Sequence, residues 1–145
     1  MRRAGLCIAG AALLVTLPGA VPVHDLTVSV GGLRSGKGVL QLCLTRDPAF
    51  FPDCSKDPAR RHLTVMASKP SGIVFTAVPP GLYALSVLHD ENANDRLDTF
   101  MGIPKEGIGF SRNPRLHFGP PRFNAVEFDA ADGANLSAIQ MKYFL

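Results

Sequence analysis

The chain of 145 residues lacks several features that mark common functional classes. No apolar run reaches the roughly 20 residues that a membrane-spanning helix needs, and no stretch repeats apolar residues at the helical period of about 3.6. The histidines lack metal-ligand spacing, which argues against a zinc centre. No nucleophile-elbow pattern surrounds Ser111, which argues against an α/β-hydrolase. The basic residues form no concentrated stripe, so charge gives no case for nucleic-acid binding.

The N-terminus has the composition of a secretory signal peptide. Arg2 and Arg3 precede an apolar run over residues 6–17, and small residues follow. A basic start, a short apolar centre and small residues are typical of export signals. A twin-arginine signal and a buried N-terminal helix are the alternatives. We predict a signal peptide at 1–20 and a mature domain at 24–145, exported to the periplasm or the extracellular medium.

Export places the cysteines in an oxidising compartment. Cys7 falls within the predicted signal, so Cys43 and Cys54 remain as an even pair. Such a pair in an exported domain favours a disulfide, which would pin the polar segment 46–61 onto the second strand. The alternative is a buried free thiol at Cys43 and an exposed Cys54.

Short segments of alternating apolar residues, separated by glycine and proline, dominate the remainder of the chain. This period of two is typical of strands with one buried face. We therefore predict an all-β fold, an antiparallel β-sandwich of about seven strands with one long ordered loop. The segments cover residues 26–30, 39–45, 63–67, 73–77, 83–89, 126–128 and 139–143.

The predicted long loop runs from Asp90 to Phe123 without a clear strand or helix. Loops beyond roughly 12 to 15 residues are uncommon in compact domains and are often functional. This loop carries many apolar side chains, which a disordered tail would not. We expect it to fold back as a compact cap over one end of the sandwich.

Oxygen-bearing side chains are concentrated at the start of this loop. Asp90, Asn92, Asn94 and Asp98 fit the first, third, fifth and ninth positions of a twelve-residue calcium loop, and the carbonyl of Arg96 fits the seventh. One interpretation is therefore a calcium site formed by these five residues. The other is an Asx-rich turn, in which the side chains accept hydrogen bonds from nearby backbone amides. The spacing leaves both open, so the cofactor is calcium or none.

Two positions depart from the calcium-loop pattern. Asp95 stands at the sixth position, where glycine is usual, and Met101 stands at the twelfth, where a bidentate glutamate is usual. Glu106 lies close enough in sequence to supply that carboxylate from outside the loop. A site of this kind belongs with the weak extracellular class, with a Kd of about 10⁻⁴ to 10⁻³ M.

Catalytic interpretations are weaker, and we favour a protein that is not an enzyme. Paired carboxylates suit glycoside hydrolysis, and a serine beside a histidine suits nucleophilic catalysis. Such pairs also arise by chance in a chain with 12 acidic residues. The pairs considered are Asp90 with Glu106, Asp98 with Glu106, and Ser111 with His89 or His117.

We expect the binding residues of the loop to begin at the end of the fifth predicted strand. Basic residues close to the acidic cluster in sequence are expected to form ion pairs with it; these are Lys105, Arg112, Arg115 and Arg122. The predicted binding-loop residues are His89, Asp90, Asn92, Asn94, Asp98, Lys105, Glu106 and Ser111.

A family resemblance covers nearly the whole mature chain. The run from Pro79 to Asn113, PPGLYALSVLHDENANDRLDTFMGIPKEGIGFSRN, followed by FGPPRF at 118–123, resembles the secreted bacterial domain-of-unknown-function family 2141. Asp95 stands where that pattern commonly has glycine. The resemblance implies a transthyretin-like or carboxypeptidase-regulatory-like β-sandwich. It implies no activity and carries over no catalytic residue.

The sequence thus predicts an exported binding or accessory module that holds its ligand, calcium being the candidate, in the Asp/Asn-rich loop. The alternatives are a hydrolase that uses carboxylates of the same loop and a non-catalytic envelope interaction protein. The expected partners are envelope or extracellular proteins or carbohydrates. Nucleic acid is not expected, and neither is a membrane-spanning segment.

Overall fold

The computed structural model describes residues 19–117, 119–131, 136 and 138–145. Most of the predicted signal peptide lies outside the described residues. No described helix has the length and apolar character needed to cross a membrane; the helical elements are the 3₁₀ turns Pro48–Phe50, Cys54–Lys56 and Phe123–Ala125. The strands are β1 (His24–Val28), β2 (Val30–Gly31), β3 (Val39–Thr45), β4 (Arg61–Met66), β5 (Ile73–Val78), β6 (Leu82–Asp90), β7 (Thr99–Phe100), β8 (Ile103–Pro104), β9 (Gly107–Phe110), β10 (Phe128–Asp129) and β11 (Ile139–Gln140).

The largest sheet has five strands and is antiparallel throughout. Its order is β10-β6-β3-β4, and β9 also pairs with β6. Antiparallel two-stranded sheets are formed by β1 with β5 and by β7 with β8, whereas β2 and β11 pair in parallel. The register places Leu42 opposite Val87 and Val39 opposite Asp90, at the end of β6. The strand β6 therefore positions Asp90, the first residue of the loop, beside β3.

The main hydrophobic core lies between the central sheet and the β1–β5 pair. Alternate residues of β3, namely Leu40, Leu42 and Leu44, are fully buried and belong to one cluster with Leu26 and Phe75. Leucines two positions apart share a face of a strand, so each sheet contributes one apolar face. A second, smaller hydrophobic cluster contains the buried residues Ala84, Phe110 and Val126.

The prediction of an all-β, mostly antiparallel fold is confirmed, and the segment 39–45 matches β3. The segments nearest the C-terminus contain shorter strands than predicted. The prediction of a strandless segment from Asp90 to Phe123 is wrong, because β7, β8 and β9 lie within it.

The strand β9 was missed because its sequence, GIGF, alternates with glycine. A Cβ at Gly107 would lie 2.5 Å from Cε1 of Tyr143, and one at Gly109 would lie 2.8 Å from Cγ2 of Ile139. Because the two glycines have no Cβ, the C-terminal segment can pack against β9. Pattern reasoning treats glycine as a strand breaker, yet this packing requires it.

A disulfide joins Cys43 of β3 to Cys54, as predicted, with 6.2 Å between the Cα atoms. Cys54 is buried rather than exposed. The same segment is also held by a buried hydrogen bond, in which Thr45 Oγ1 donates to Asp57 Oδ2 at 2.5 Å. The polar connection between β3 and β4 is therefore fastened to the central sheet at two points.

Candidate functional site

Asp90 anchors the loop at the end of β6. Its side chain is fully buried, and Oδ1 accepts from the backbone amide of Asn94 at 3.1 Å. Oδ2 accepts from the amide of Asp95 at 2.8 Å and from Nε2 of Gln41 at 2.9 Å. Both oxygens are thus used in folding the turn. Gln41 comes from β3 and also donates to Asp95 Oδ1 at 3.0 Å.

The turn that follows is built from asparagine side chains. Asn92 Oδ1 accepts from the amide of Asn94 at 3.1 Å, and Asn94 Oδ1 accepts from the amide of Arg96 at 3.0 Å. Ala93 and Asp95 adopt φ values of 55° and 60°, a left-handed conformation that aspartate tolerates better than most residues. The loop therefore contains the Asx turns that were one of the two interpretations of this spacing.

Asp98 receives the amide groups of the same two asparagines. Asn92 Nδ2 donates to Asp98 Oδ2 at 2.7 Å, and Asn94 Nδ2 donates to it at 3.0 Å. These hydrogen bonds hold the pKa of Asp98 below its usual range. Within the described part of the chain, no three His, Cys, Asp or Glu side chains form a recognisable metal-binding group. Of the five residues predicted for calcium, Asp98 is the one whose carboxylate accepts from the side chains of both asparagines. Arg96 joins the network through its backbone N–H.

Glu106 is the least satisfied polar group of the loop. Its Oε2 accepts from the backbone amide of Asp98 at 3.1 Å, whereas its Oε1 is buried and has no hydrogen-bond partner. The residue is only 4% exposed. Burial, and then the charges of Asp90 and Asp98, raise the pKa of this carboxyl. A buried acceptor without a partner costs about 1 to 3 kcal/mol, so a ligand that satisfies it would bind favourably.

A solvent-open cavity of about 220 Å³ is lined in part by Glu106. Arg34 enters it from the segment after β2, where its guanidinium donates to Glu91 Oε2 at 2.5 Å and to the carbonyl of Lys105 at 2.8 Å. The pocket thus combines two cations with several carboxylates and one amide. Its lining residues are Arg34, Glu91, Asn92, Asp98, Lys105 and Glu106.

The cation that pairs with the acidic cluster is not one of those predicted from the loop. Among the described residues, the side-chain ion pair joins Arg34 to Glu91. Arg112 instead donates to the carbonyl of Glu127 at 3.2 Å. Among the described residues, neither Lys105 nor the later arginines form an ion pair within 4.0 Å of an acidic side chain.

His89 has a structural role in this geometry. It is fully buried, with Nε2 2.8 Å from the carbonyl of Lys37 and Nδ1 2.6 Å from the hydroxyl of Tyr143. A carbonyl only accepts, so Nε2 carries a proton, and in the neutral ring Nδ1 accepts from Tyr143. The histidine therefore ties β6 to the C-terminal segment, and it does not line the pocket.

Ser111 is also engaged away from the pocket. Its buried hydroxyl donates to the carbonyl of Val126 at 2.6 Å and accepts from the amide of Leu85 at 3.1 Å. His117, the other histidine considered as its base, is exposed. The arrangement supports a packing role for Ser111 rather than that of a nucleophile.

The Arg34–Glu91 pair gives a testable pH dependence. Hydrogen bonds from Arg34, and then from Ser35, lower the pKa of Glu91 from 4.5 to about 2. The contribution of the Arg34–Glu91 pair to the free energy of unfolding is therefore complete above about pH 4.5 and is lost as the pH falls toward 2. Solvent screens this partly exposed pair, so we expect Glu91→Gln to cost under about 1 kcal/mol at pH 7. Urea unfolding at several pH values measures the loss of stability in Glu91→Gln. Glu127→Gln, which also removes one acidic charge, is the control. Equal losses for Glu91→Gln at pH 7 and pH 2 would argue against the pair.

Two contributors to the site were missed by sequence reasoning. Gln41 and Arg34 lie about fifty residues or more before the loop and reach it through the pairing of β3 with β6 and through the segment after β2. No local motif marks either residue. Strand pairing, which places Val39 opposite Asp90, is the signal that could have found Gln41.

One of three comparisons with known proteins identifies a family. A family model described as an uncharacterized protein conserved in bacteria (DUF2141) matches residues 28–137, which include the pocket residues from Arg34 to Glu106. No curated protein and no solved structure matches the chain. The match spans more than half of the sequence, and the chain belongs to the DUF2141 family.

Proposed function

We propose that this chain is an exported, non-catalytic binding module, and that the pocket beside Glu106 binds a calcium ion. In this proposal the carboxylates of Asp98 and Glu106 are the protein ligands that face the ion. Asp90, Asn92 and Asn94 hold the loop in shape, since their oxygens accept hydrogen bonds from backbone amides. The scaffold would be a transthyretin-like β-sandwich.

One observation carries the proposal: the buried Oε1 of Glu106 has no partner, and Glu106 is one of the residues that line an open pocket. Its position is fixed, because Oε2 accepts from the amide of Asp98. An ion at this point would remove the cost of the unpaired acceptor. It would also offset the burial of the Glu106 carboxylate and its repulsion by Asp90 and Asp98, which together raise the pKa of Glu106.

The chemistry of the site favours a hard cation. The candidate ligand atoms are oxygens, and calcium takes six to eight oxygen ligands at about 2.3 to 2.6 Å, including water. An open pocket allows water to complete such a shell. Two cations, Arg34 and Lys105, also line the pocket, and Glu91 offsets the charge of Arg34. Because two carboxylates supply most of the attraction, we expect a Kd of about 10⁻⁴ to 10⁻³ M.

The disulfide supports the export part of the proposal. Bridges such as Cys43–Cys54 form and persist in oxidising compartments and are rare in the cytosol. Cys54 of this bridge is buried and Cys43 is half-buried. Fractionation of cells that express the full-length gene tests this part. Recovery of the protein in the cytosol, with both thiols reduced, would contradict it.

Calorimetric titration with calcium tests the ion directly. We expect the native protein to bind with a Kd of about 10⁻⁴ to 10⁻³ M and to melt at a higher temperature in calcium than in chelator. Glu106→Gln keeps the shape but removes the charge, so affinity should fall by about tenfold or more. Glu127→Gln, which changes an acidic residue outside the pocket, should leave binding unchanged. Equal affinity in Glu106→Gln and the native protein, or no binding at all, would contradict the proposal.

A hydrolase remains the second candidate, because Asp98 and Glu106 line the same open pocket. Two carboxylates that flank a cleft are the arrangement used in glycoside hydrolysis. Incubation with a panel of chromogenic glycosides separates the two candidates. Turnover that disappears in both Asp98→Asn and Glu106→Gln would favour the hydrolase, and calcium binding without turnover would favour the binding module.

A further inference from the structure

The pocket of the proposed ion site also contains a cation that no acidic side chain neutralises. Lys105 lines this pocket together with Asp98 and Glu106. In the part of the chain that the structure describes, its ammonium group has no acidic partner within 4.0 Å. We propose that the calcium-loaded pocket binds the carboxylate group of an organic ligand, which bridges the ion and Lys105. This inference rests on the proposed function, because the ion supplies part of the attraction.

The other acidic residues around the loop already have partners within the protein. Glu91 is paired with Arg34. Asp90 is buried and accepts from backbone amides of the turn, and Asp95 accepts from Gln41 Nε2 at 3.0 Å. Neither Asp90 nor Asp95 lines the pocket. These three carboxylates therefore serve the fold of the loop and do not occupy the cation in the pocket.

The balance of charge inside the pocket favours an anion once calcium is bound. The Arg34–Glu91 pair is neutral, and the carboxylates of Asp98 and Glu106 balance the charge of the ion. After the hydrogen bonds from two asparagine side chains, the charge of Lys105 also lowers the pKa of Asp98, so this cation acts close to the ion. A carboxylate carries one negative charge, and between these two positive charges it would be attracted by both.

The ion itself has room for such a ligand. Calcium takes six to eight oxygen ligands, and Asp98 and Glu106 fill only part of that shell. The cavity of about 220 Å³ is far larger than one ion, since a water molecule occupies about 30 Å³ of liquid. It therefore admits a carboxylate with the carbon atoms next to it, and the oxygens of this group would replace water bound to the ion.

The backbone on both sides of the Lys105 side chain is held in place. Its amide donates to the carbonyl of Asp98 at 2.9 Å, and its carbonyl accepts from Arg34 Nη2 at 2.8 Å. The side chain is exposed, and a lysine binds anionic oxygens as a point charge. The guanidinium of Arg34 is less suited to this role, because it already donates to Glu91 and to the carbonyl of Leu145.

Titration of the purified protein with sodium galacturonate tests the inference, in saturating calcium and in calcium-free buffer of equal ionic strength. The amide chemical shifts of Lys105 and Glu106 report binding. Galactose has the same ring without the carboxylate, and acetate has the carboxylate without the ring. In calcium we expect a Kd of about 10⁻³ M for both carboxylates and no saturable shift with galactose. Without calcium, binding should be at least about tenfold weaker.

The source of the carboxylate follows from the same titrations. Tighter binding of galacturonate than of acetate would support a sugar acid, whose ring also contacts the pocket. Equal affinity for the two would support a simple organic acid, which the pocket recognises by its carboxylate alone.

A pair of lysine variants separates the bridge from a general effect of charge. Lys105→Gln should weaken galacturonate binding by about fivefold or more, because the second positive charge is lost. Calcium should bind this variant at least as tightly as the native protein, since a cation beside the ion has been removed. Lys56→Gln is the matched control, because Lys56 is exposed and lies outside the pocket. Its affinity for galacturonate should change by less than about twofold.

The failure of this inference differs from the failure of the proposed function. Calcium binding without any shift on addition of galacturonate or acetate overturns this inference and keeps the ion site. A native protein that does not bind calcium overturns both. Equal galacturonate binding with and without calcium, or in Lys105→Gln and Lys56→Gln, overturns the bridge between the ion and Lys105. Galactose that binds as tightly as galacturonate overturns the role of the carboxylate.

Discussion

Replacing Asp90 by alanine is expected to lower the free energy of unfolding by about 3 kcal/mol, the largest effect of any single substitution in the loop. The carboxylate accepts from the amides of Asn94 and Asp95 and from the side chain of Gln41. Alanine removes all three hydrogen bonds to this buried carboxylate, and hydrogen bonds to a charged group contribute about 1.5 to 3 kcal/mol. The amide of Asp95 loses its acceptor, whereas Asn94 N–H keeps Asn92 Oδ1 and Gln41 Nε2 keeps Asp95 Oδ1. Urea unfolding of the variant and the native protein measures the difference.

An exposed Asx turn provides the control for this substitution. Asp129 accepts from the amide of Ala131 at 2.9 Å, but its side chain is exposed. Asp129→Ala should therefore cost under about 1 kcal/mol. We also expect faster amide hydrogen exchange from Glu91 to Lys105 in Asp90→Ala, with little change in β3. An effect no larger than that of Asp129→Ala would contradict the anchoring role of Asp90.

Removing the Cys43–Cys54 disulfide is expected to cost roughly 3 kcal/mol, because the bridge closes a short loop and restricts the unfolded chain. The two cysteines are 11 positions apart, and Cys54 is buried. The loss should appear in the double variant Cys43→Ala with Cys54→Ala. Thermal unfolding in the presence and absence of a reducing agent measures the same quantity in the native protein.

The double alanine variant is also the control for reduction. Reducing agent should lower the melting temperature of the native protein and leave that of the variant unchanged. The hydrogen bond from Thr45 to Asp57 holds the same segment, so the folded state should persist without the bridge. Equal melting temperatures for oxidised and reduced native protein would show that the bridge contributes nothing to stability.

The regular strands were predictable because their burial alternates with a period of two. Leu40, Leu42 and Leu44 face the core, and their neighbours along β3 do not. This pattern is local, so the sequence alone indicates it. In β9 the alternating positions are Gly107 and Gly109. These glycines leave space for the side chains of Tyr143 and Ile139. That requirement arises from a segment some thirty residues away, and no local pattern expresses it.

The loop likewise combines contacts between residues close in sequence with contacts to residues distant in sequence. The spacing of Asp90, Asn92 and Asn94 predicted a turn or an ion site, and the turn depends on contacts within five residues. The pocket depends on Arg34, which the folded chain brings to Glu91. The unpaired oxygen of Glu106 is a matter of burial, which is settled by packing and not by the sequence near it.

A crystal structure of the protein grown in millimolar calcium is the most direct measurement of the site. We expect an ion about 2.3 to 2.6 Å from Glu106 Oε1, a usual calcium–oxygen distance, with Asp98 as a second ligand and the Asx turns around Asp90 unchanged. A pocket without an ion, with Glu106 Oε1 turned toward the solvent and the loop displaced from Asp90, would contradict it.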